Sequence, residues 1–388
     1  MSAQESPHCR YFSTRQCVSC TLLDRPASEG RALKQERLEN LLRDSIKSVA
    51  SIAPIQVLDS VFPSRFKLKM AVAGTIKDAV IGYVNDSREV IELLDCPLHP
   101  PRLNALLRLI REKIIPSAKL LPYHIEERRG ELKWVLIMSN HDLSEVIVRF
   151  VLRSSESVPR IKKTLPILTQ EFPEVAVVSA NIQPLPSSTI EGAEEIVLTE
   201  RHSITERYPT ASVYIKPQSF MQVTYEAASA LYKAAADWAS GRKFEFALDL
   251  YCGSGAFLFS LASKVTKGIG VEVSEAAVSC ANEARGLNAA MHLDFVASPV
   301  EAFLEKNPGL APDLVIVNPP RRGLSEEVIN QIMRLAPNDI VYSSCNPETL
   351  SADLKRLASH YEATAVHPFE MFPLTEHLEA LTFLRRRY

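Results

Sequence analysis

From Phe220 to the C-terminus the chain alternates strand-like apolar runs with helix-patterned stretches, and this rhythm limits the fold more than any other feature. A helix over Phe220–Trp238 precedes EFALDLY (245–251), a helix over Gly255–Lys264, GIGVEV (268–273) and a helix over Glu275–Gly286. LDFVA (293–297), DLVIVNPP (313–320), a helix over Ser325–Leu335, DIVYSSCNP (339–347) and a helix over Thr349–His360 follow. Uninterrupted apolar runs such as LVIV suit strands covered on both faces, so the pattern predicts a parallel, doubly wound α/β sheet. EATAVHPF (362–369) and EALTFLRR (379–386) suit an antiparallel finish.

The front of the chain reads differently. KMAVAG, AVIGYV, KWVLIM, EVIVRFVL, EVAVVSANI and EEIVLT, between Phe66 and Ile215, are short β-branched runs separated by turn residues, and they predict a β-rich α+β domain. Helical stretches interrupt it, as at Pro101–Lys113, and Leu33–Ala50 has the spacing of an amphipathic surface helix. The rhythm changes between residues 205 and 217, which predicts one domain over 1–210 and a second over 211–388.

Charge follows the same division. Residues 1–130 hold 20 Lys+Arg against 15 Asp+Glu, and the rest holds 24 against 31, so a net charge of -2 conceals a front third at +5 and a remainder at -7. Such a front suits a polyanionic partner. No stretch reaches the roughly 18 apolar residues that cross a bilayer, and Met1–Cys20 has no signal-peptide core, so a cytoplasmic location and no membrane are expected. The seven cysteines are odd in number, which favours metal-binding or catalytic thiols over a disulfide framework.

Asp249-Leu-Tyr-Cys-Gly-Ser-Gly ends one predicted strand and opens a helix, with Gly253 and Gly255 allowing a sharp turn and close approach to a ligand. Glu272 closes the next strand, where an acid meets ribose hydroxyls. Gly-x-Gly alone would serve a dinucleotide or a plain turn, but the third glycine of a dinucleotide fingerprint is missing. Asn318-Pro319-Pro320 lies past the fourth strand, where two prolines stiffen a loop that can hold a polar side chain against a flat base. Together these resemble S-adenosylmethionine-dependent methyltransferases that act on a base.

Cys345 ends the strand before Asn346-Pro347, in the position of a nucleophile. A uracil methyltransferase needs one, because C5 of uracil attacks a sulfonium methyl only after a thiolate has added at C6. A base must then remove the C5 proton so that the thiolate can leave, and Glu379 in MFPLTEHLE is the candidate. Cys252 and Cys280 read as buried core thiols.

KPQSFMQV, NPPRRG, YSSCNPET and MFPLTEHLE, in that order, resemble the RNA uracil-C5 methyltransferase family across almost the whole chain. The four front cysteines and the overall length resemble its bacterial branch acting on uridine 747 of 23S rRNA. The resemblance implies that Gln222, Tyr251, Gly253, Gly255, Glu272 and Asn318 hold S-adenosylmethionine, that Cys345 is the nucleophile and that Glu379 is the base. Asn318 stands where other branches have Asp, and Phe66 stands where the family pattern has Asn. Ser298 ends the third strand where many methyltransferases place an acid for adenine.

Cys9, Cys17, Cys20 and Cys96 supply four potential thiolate ligands, whose chemistry alone admits zinc or an iron-sulfur cluster. The resemblance implies [4Fe-4S], in a structural or RNA-docking role, because the reaction transfers no electrons. Arg65, Lys67, Lys69, Arg128, Arg129 and Arg149 could meet phosphate, and Arg321 and Arg322, beside the predicted base pocket, are the stronger candidates. The expected partner is 23S rRNA, with no obligate protein partner. A different uridine in rRNA or tRNA, a non-catalytic iron-sulfur RNA-binding protein and a dinucleotide oxidoreductase are the alternatives; the pairing of Cys345 with Glu379 argues against the second, and the missing third glycine and the use of Cys345 argue against the third.

Overall fold

A computed structural model describes residues 9–46, 51–186 and 189–387. The chain forms two compact units, one containing Pro7–Cys20 and Ser60–Thr205, the other Thr21–Asp59 and everything from Glu206 onward. Among the described residues no helix is long and apolar enough to cross a membrane.

The second unit is built on an eight-stranded sheet with the strands in the order 51–52, 361–369, 379–386, 339–344, 314–317, 244–250, 265–272 and 293–297. The strands from 244–250 through 339–344 pair in parallel, and 379–386 runs antiparallel between 339–344 and 361–369. The short strand Ser51–Ile52 extends the far edge in parallel with Tyr361–Phe369, a pairing too short to leave a pattern in the sequence. Leu314–Val317 and Ile340–Tyr342 are fully buried, as expected of strands with helices on both faces.

Side-chain caps start two of the later helices, Glu326–Leu335 and Pro347–Leu357. Ser325 accepts from the Val328 amide, and Asn346, followed by Pro347, accepts from the Glu348 amide. The helix expected over Phe220–Trp238 begins at Tyr225, and that over Gly255–Lys264 is a short helix, Ala256–Ser260, followed by a single 3-10 turn.

The helix expected over Leu33–Ala50 as a surface element runs instead over Ala27–Leu42 and belongs to this unit; residues 47–50 lie outside the described residues. Leu38 and Leu42 join the core beneath Leu324, Val328 and Leu350. Lys34 is buried whereas Leu33 is exposed, the reverse of what hydrophobicity predicts. The segment therefore leaves the front domain of the 1–210 partition because its buried face matches the later helices.

The other unit carries a seven-stranded sheet ordered 90–92, 79–84, 67–74, 132–139, 146–152, 175–182 and 194–197. All pairs are antiparallel except 146–152 with 175–182, which the helices Val158–Lys162 and Leu165–Glu171 connect. Six of these strands coincide with the β-branched runs; Val90–Glu92 was not expected.

Arg149 corrects one expectation. It lies in the fully buried strand Val146–Leu152, 1% exposed, and its Nε donates to Glu195 at 2.8 Å while Glu191 takes another guanidinium nitrogen. It is therefore not available to phosphate. Lys67 is also largely withdrawn from water, and burial pulls its ammonium down to about 8, whereas Lys69 pairs with Glu191 at 2.8 Å. Arg128 and Arg129 remain exposed.

Arg149→Met leaves the buried Glu195 without its cation, Glu191 keeping Lys69, and a loss of about 3–5 kcal/mol is expected. Denaturant unfolding of this variant should show that loss, with the salt dependence of RNA binding unchanged.

Candidate active site

Strand order reverses beside Phe244–Leu250, because the chain proceeds outward through 265–272 and 293–297 and then returns to 314–317 on the other flank. Crevices at such reversals, outside the carboxyl ends of the strands, are where open α/β sheets take ligands. A cavity of about 610 Å³ lies here, lined among others by Gln222, Tyr251, Gly253, Glu272, Asn318, Arg321, Arg322, Cys345 and Glu379.

One end of the cavity is shaped by backbone conformation. Tyr251, Gly253 and Gly255 have φ of 65°, 54° and 85°, so the strand turns away through three left-handed residues within five positions. A Cβ on Gly253 would meet nothing within 4 Å, which leaves the loop open on that side. Gly255 lies beneath the loop, where a Cβ would come within 2.8 Å of the Phe295 ring and 2.9 Å of Phe259. Glu272 ties the loop to the next strand by accepting from the Gly253 amide at 3.2 Å and the Ser274 amide at 2.9 Å. Such a carboxylate, already oriented by two amides, suits a vicinal diol. Ser298 does not line the cavity; its amide bonds the Glu272 carbonyl at 2.9 Å.

The other end depends on strand register. In the antiparallel pair 339–344 with 379–386, Ser343 faces Leu381 and Ser344 faces Ala380, so the next step brings Cys345 opposite Glu379. Glu379 is 2% exposed, and the hydroxyl of Ser343 donates to it, its one polar side-chain partner among the described residues. Burial pushes the Glu379 carboxyl up to about 7, and the Ser343 bond holds it from rising further. Burial also pushes the half-exposed Cys345 thiol up, as does the nearby Glu379, while the charge and a hydrogen bond of Arg321 pull it down. The Arg321 loop is fixed from below: its carbonyl accepts from Asn346 Nδ2 at 3.0 Å and Thr349 Oγ1 at 3.3 Å.

Several groups here left no signal in the sequence. Tyr232 is buried between Tyr208 and Phe257, with ring centroids 4.9 Å from each, and its hydroxyl hydrogen-bonds Gln222. Phe220, 65% exposed, and Phe372 line the cavity as well. Ser343 stood beside Cys345 in YSSCNPET, but its bond to Glu379 became visible only with the strand pairing.

Cys9, Cys17, Cys20 and Cys96 all fall in the first unit. Burial above all drives the Cys20 thiol up to about 12 and Cys96 to about 11, with Cys9 and Cys17 contributing to the rise and Arg65 opposing it at both. Among the described residues no group of three or more His, Cys, Asp or Glu is arranged to hold a metal ion.

Residues 309–387 match the family described as tRNA (Uracil-5-)-methyltransferase. Over 380 residues the chain is 37% identical to a Shewanella baltica protein named 23S rRNA (uracil(747)-C(5))-methyltransferase RlmC, which covers 97% of this chain and 96% of that one. A Pectobacterium atrosepticum protein of the same name is 36% identical over 379 residues, 98% of this chain and all of that one. The chain belongs to the uracil-C5 methyltransferase family. Its fold is that of the solved Pyrococcus abyssi tRNA (uracil-54, C5)-methyltransferase in complex with S-adenosyl-L-homocysteine, with a TM-score of 0.75 at 24% identity over 95% of this chain and 86% of that one. In this uracil-C5 methyltransferase, the glycine loop and the Cys345–Glu379 pair thus open into one cavity.

The Glu379 carboxyl should titrate near 7 in a carbon-detected NMR titration of the free protein. Removing the hydroxyl in Ser343→Ala should move that titration upward, since the hydroxyl favours the carboxylate; a titration in the ordinary carboxylate range would contradict the burial described here.

Proposed function

We propose that this protein methylates C5 of a uridine in 23S rRNA, of the uridine-747 type, using S-adenosylmethionine. The observation that carries the reading is the shared cavity, in which a thiol and a buried carboxyl stand across the strand reversal from a glycine loop and an anchored acid. The residues fit the cofactor: the loop is open above Gly253, and Glu272, Gln222 and Asn318 offer polar groups around it. S-adenosylmethionine, when bound, supplies an electrophilic methyl group.

The steps belong to two side chains. The Cys345 thiolate, favoured by Arg321, forms an S–C6 bond with the uracil, and the C5=C6 electron pair moves to C5 as an enolate. After C5 has taken the methyl group, the Glu379 carboxylate removes the C5 proton, C5=C6 reforms, and the S–C6 electron pair returns to Cys345. A carboxyl near 7 is matched to proton removal, being basic enough to accept a carbon-bound proton and still substantially ionised at neutral pH. Arg321 and Arg322 stand at the cavity for the RNA backbone, and the exposed ring of Phe220 is available to stack on a base turned out of its helix.

Cys9, Cys17, Cys20 and Cys96 are proposed to hold a [4Fe-4S] cluster. Four thiolates are a suitable donor set, and the other thiols lie near enough to Cys20 and Cys96 to contribute to the rise in their proton affinity. Their arrangement is not closed around a metal, and no catalytic step is assigned to the group. Anaerobically purified protein should be brown, with iron and sulfide in equal amounts, and should lose its colour in Cys96→Ser; a colourless protein with stoichiometric zinc would overturn the assignment.

With unmodified 23S rRNA and labelled S-adenosylmethionine, the wild type should place label at C5 of one uridine. Cys345→Ala should give none, and Glu379→Gln should stop turnover while a methylated protein–RNA adduct accumulates. The wild-type rate should rise with pH through about 7 as Glu379 ionises, and keep rising as the Cys345 thiol deprotonates. Labelled product from Cys345→Ala at the wild-type rate would sink the mechanism.

A further inference from the structure

Residues 370–378 run directly into Glu379 and carry Phe372, which lines the cavity beside it. None of these residues belongs to a helix or strand. Most of what holds the segment comes from the front of the same unit. The ammonium of Lys34, on the helix Ala27–Leu42, donates to the Phe372 carbonyl at 3.1 Å and to Glu370 Oε1 at 3.3 Å. Lys34 is 2% exposed and Glu370 4%. Arg31 stands 3.8 Å from the other Glu370 oxygen, and Arg37 Nη1 donates to the Glu376 carbonyl at 3.3 Å. The Leu22 amide donates to the Leu374 carbonyl at 3.0 Å, and Thr224 Oγ1 to the Met371 carbonyl at 2.9 Å.

A buried ammonium is an expensive way to pack a helix, because burying charge gains little over apolar residues of similar volume. Leu33, one residue earlier, is left in solvent while Lys34 is turned inward. The arrangement makes sense for the loop: Thr375 Oγ1 donates to the Phe372 carbonyl at 3.0 Å from within the segment, and Lys34 adds a donor at 3.1 Å from a helix anchored in the core by Leu38 and Leu42, which ties the segment to that core.

We propose that Lys34 is a positioning residue for the uracil end of the site, holding the segment Glu370–Leu378 so that Glu379 meets the C5 proton. The inference rests on the reaction proposed above. It concerns proton removal specifically, because the hydrogen bonds of Lys34 go to Glu370 and Phe372, on the chain that leads into Glu379.

The test compares Lys34→Met, Lys34→Met/Glu370→Gln and Lys34→Arg with the wild-type full chain, using unmodified 23S rRNA and S-adenosylmethionine. Four quantities are read: kcat, the affinity for S-adenosylhomocysteine, the melting temperature, and the methylated protein–RNA adduct on a denaturing gel. Lys34→Met leaves Glu370 buried without its partner and should melt lower. The double variant removes the Lys34–Glu370 charge pair, so its melting temperature should return towards the wild type, while the Phe372 carbonyl has lost the Lys34 bond that ties it to the helix and keeps only the bond from Thr375 within its own segment.

In both methionine variants kcat should fall by roughly 10- to 100-fold, as for a displaced catalytic group, with adduct accumulating and S-adenosylhomocysteine binding retained. Lys34→Arg, which keeps a charged donor, should recover part of the rate. Should Lys34→Met fail to fold, the double variant carries the test alone. Restoration of kcat together with melting temperature in the double variant, or a fall in kcat without adduct, would overturn the proposal. Failure of the reaction scheme itself is read separately, from labelled product formed by Cys345→Ala.

Discussion

The site depends on one register. Strand 379–386 runs antiparallel to 339–344, with Ser344 opposite Ala380, so that the residue leaving one strand, Cys345, faces the residue entering the other, Glu379. A shift by one residue would turn alternate side chains to the opposite face of the sheet: Glu379 would lose Ser343, and the thiol would lose the carboxyl. The register is secured on both sides, because 379–386 also pairs along its whole length with 361–369, where Phe369 faces Glu379. Fully buried Leu381 and Ala380, with Phe383 and Leu384 at 2% exposure, leave no apolar residue to spare for a slip.

Placing a carboxyl at that point has an electrostatic consequence. It is 2% exposed, and among the described residues Ser343 is the polar side chain that bonds it. Desolvation therefore sets its proton affinity, and a group that would be an inert carboxylate in water becomes a base for neutral pH. The same burial acts on Cys345, where Arg321 opposes it. The loop Asn318–Gly323 is thus part of the chemistry as well as of the cavity wall, and Asn346, Thr349 and Asp353 fix its far end; Asp353 accepts from the Leu324 amide at 2.9 Å and from Tyr342 at 2.6 Å.

Much of this was legible in the sequence because apolar runs and glycines are local signals. LVIV and IVY could only be buried strands, and the left-handed turns at Gly253 and Gly255 follow from the missing Cβ. The rest was hidden wherever the deciding partner is distant in sequence. Lys34 looks like a solvated charge until Glu370, 336 residues away, is brought beside it. Arg149 looked available to phosphate, yet the apolar residues on either side in VIVRFVL were the sign that it had to be buried and paired, as Glu191 and Glu195 pair it. The four front cysteines are obvious as a set, but spacing says nothing about how closely the thiols approach.

The central claim is that Cys345 and Glu379 act in turn on one uracil. RNA carrying 5-fluorouridine at the target position tests it most directly, because fluorine at C5 cannot be removed as a proton and the reaction must stop between the two residues. With S-adenosylmethionine present, digestion and mass spectrometry should find the peptide containing Cys345 joined to a methylated fluorouridine. A missing adduct, or an adduct on any other residue, would contradict the account.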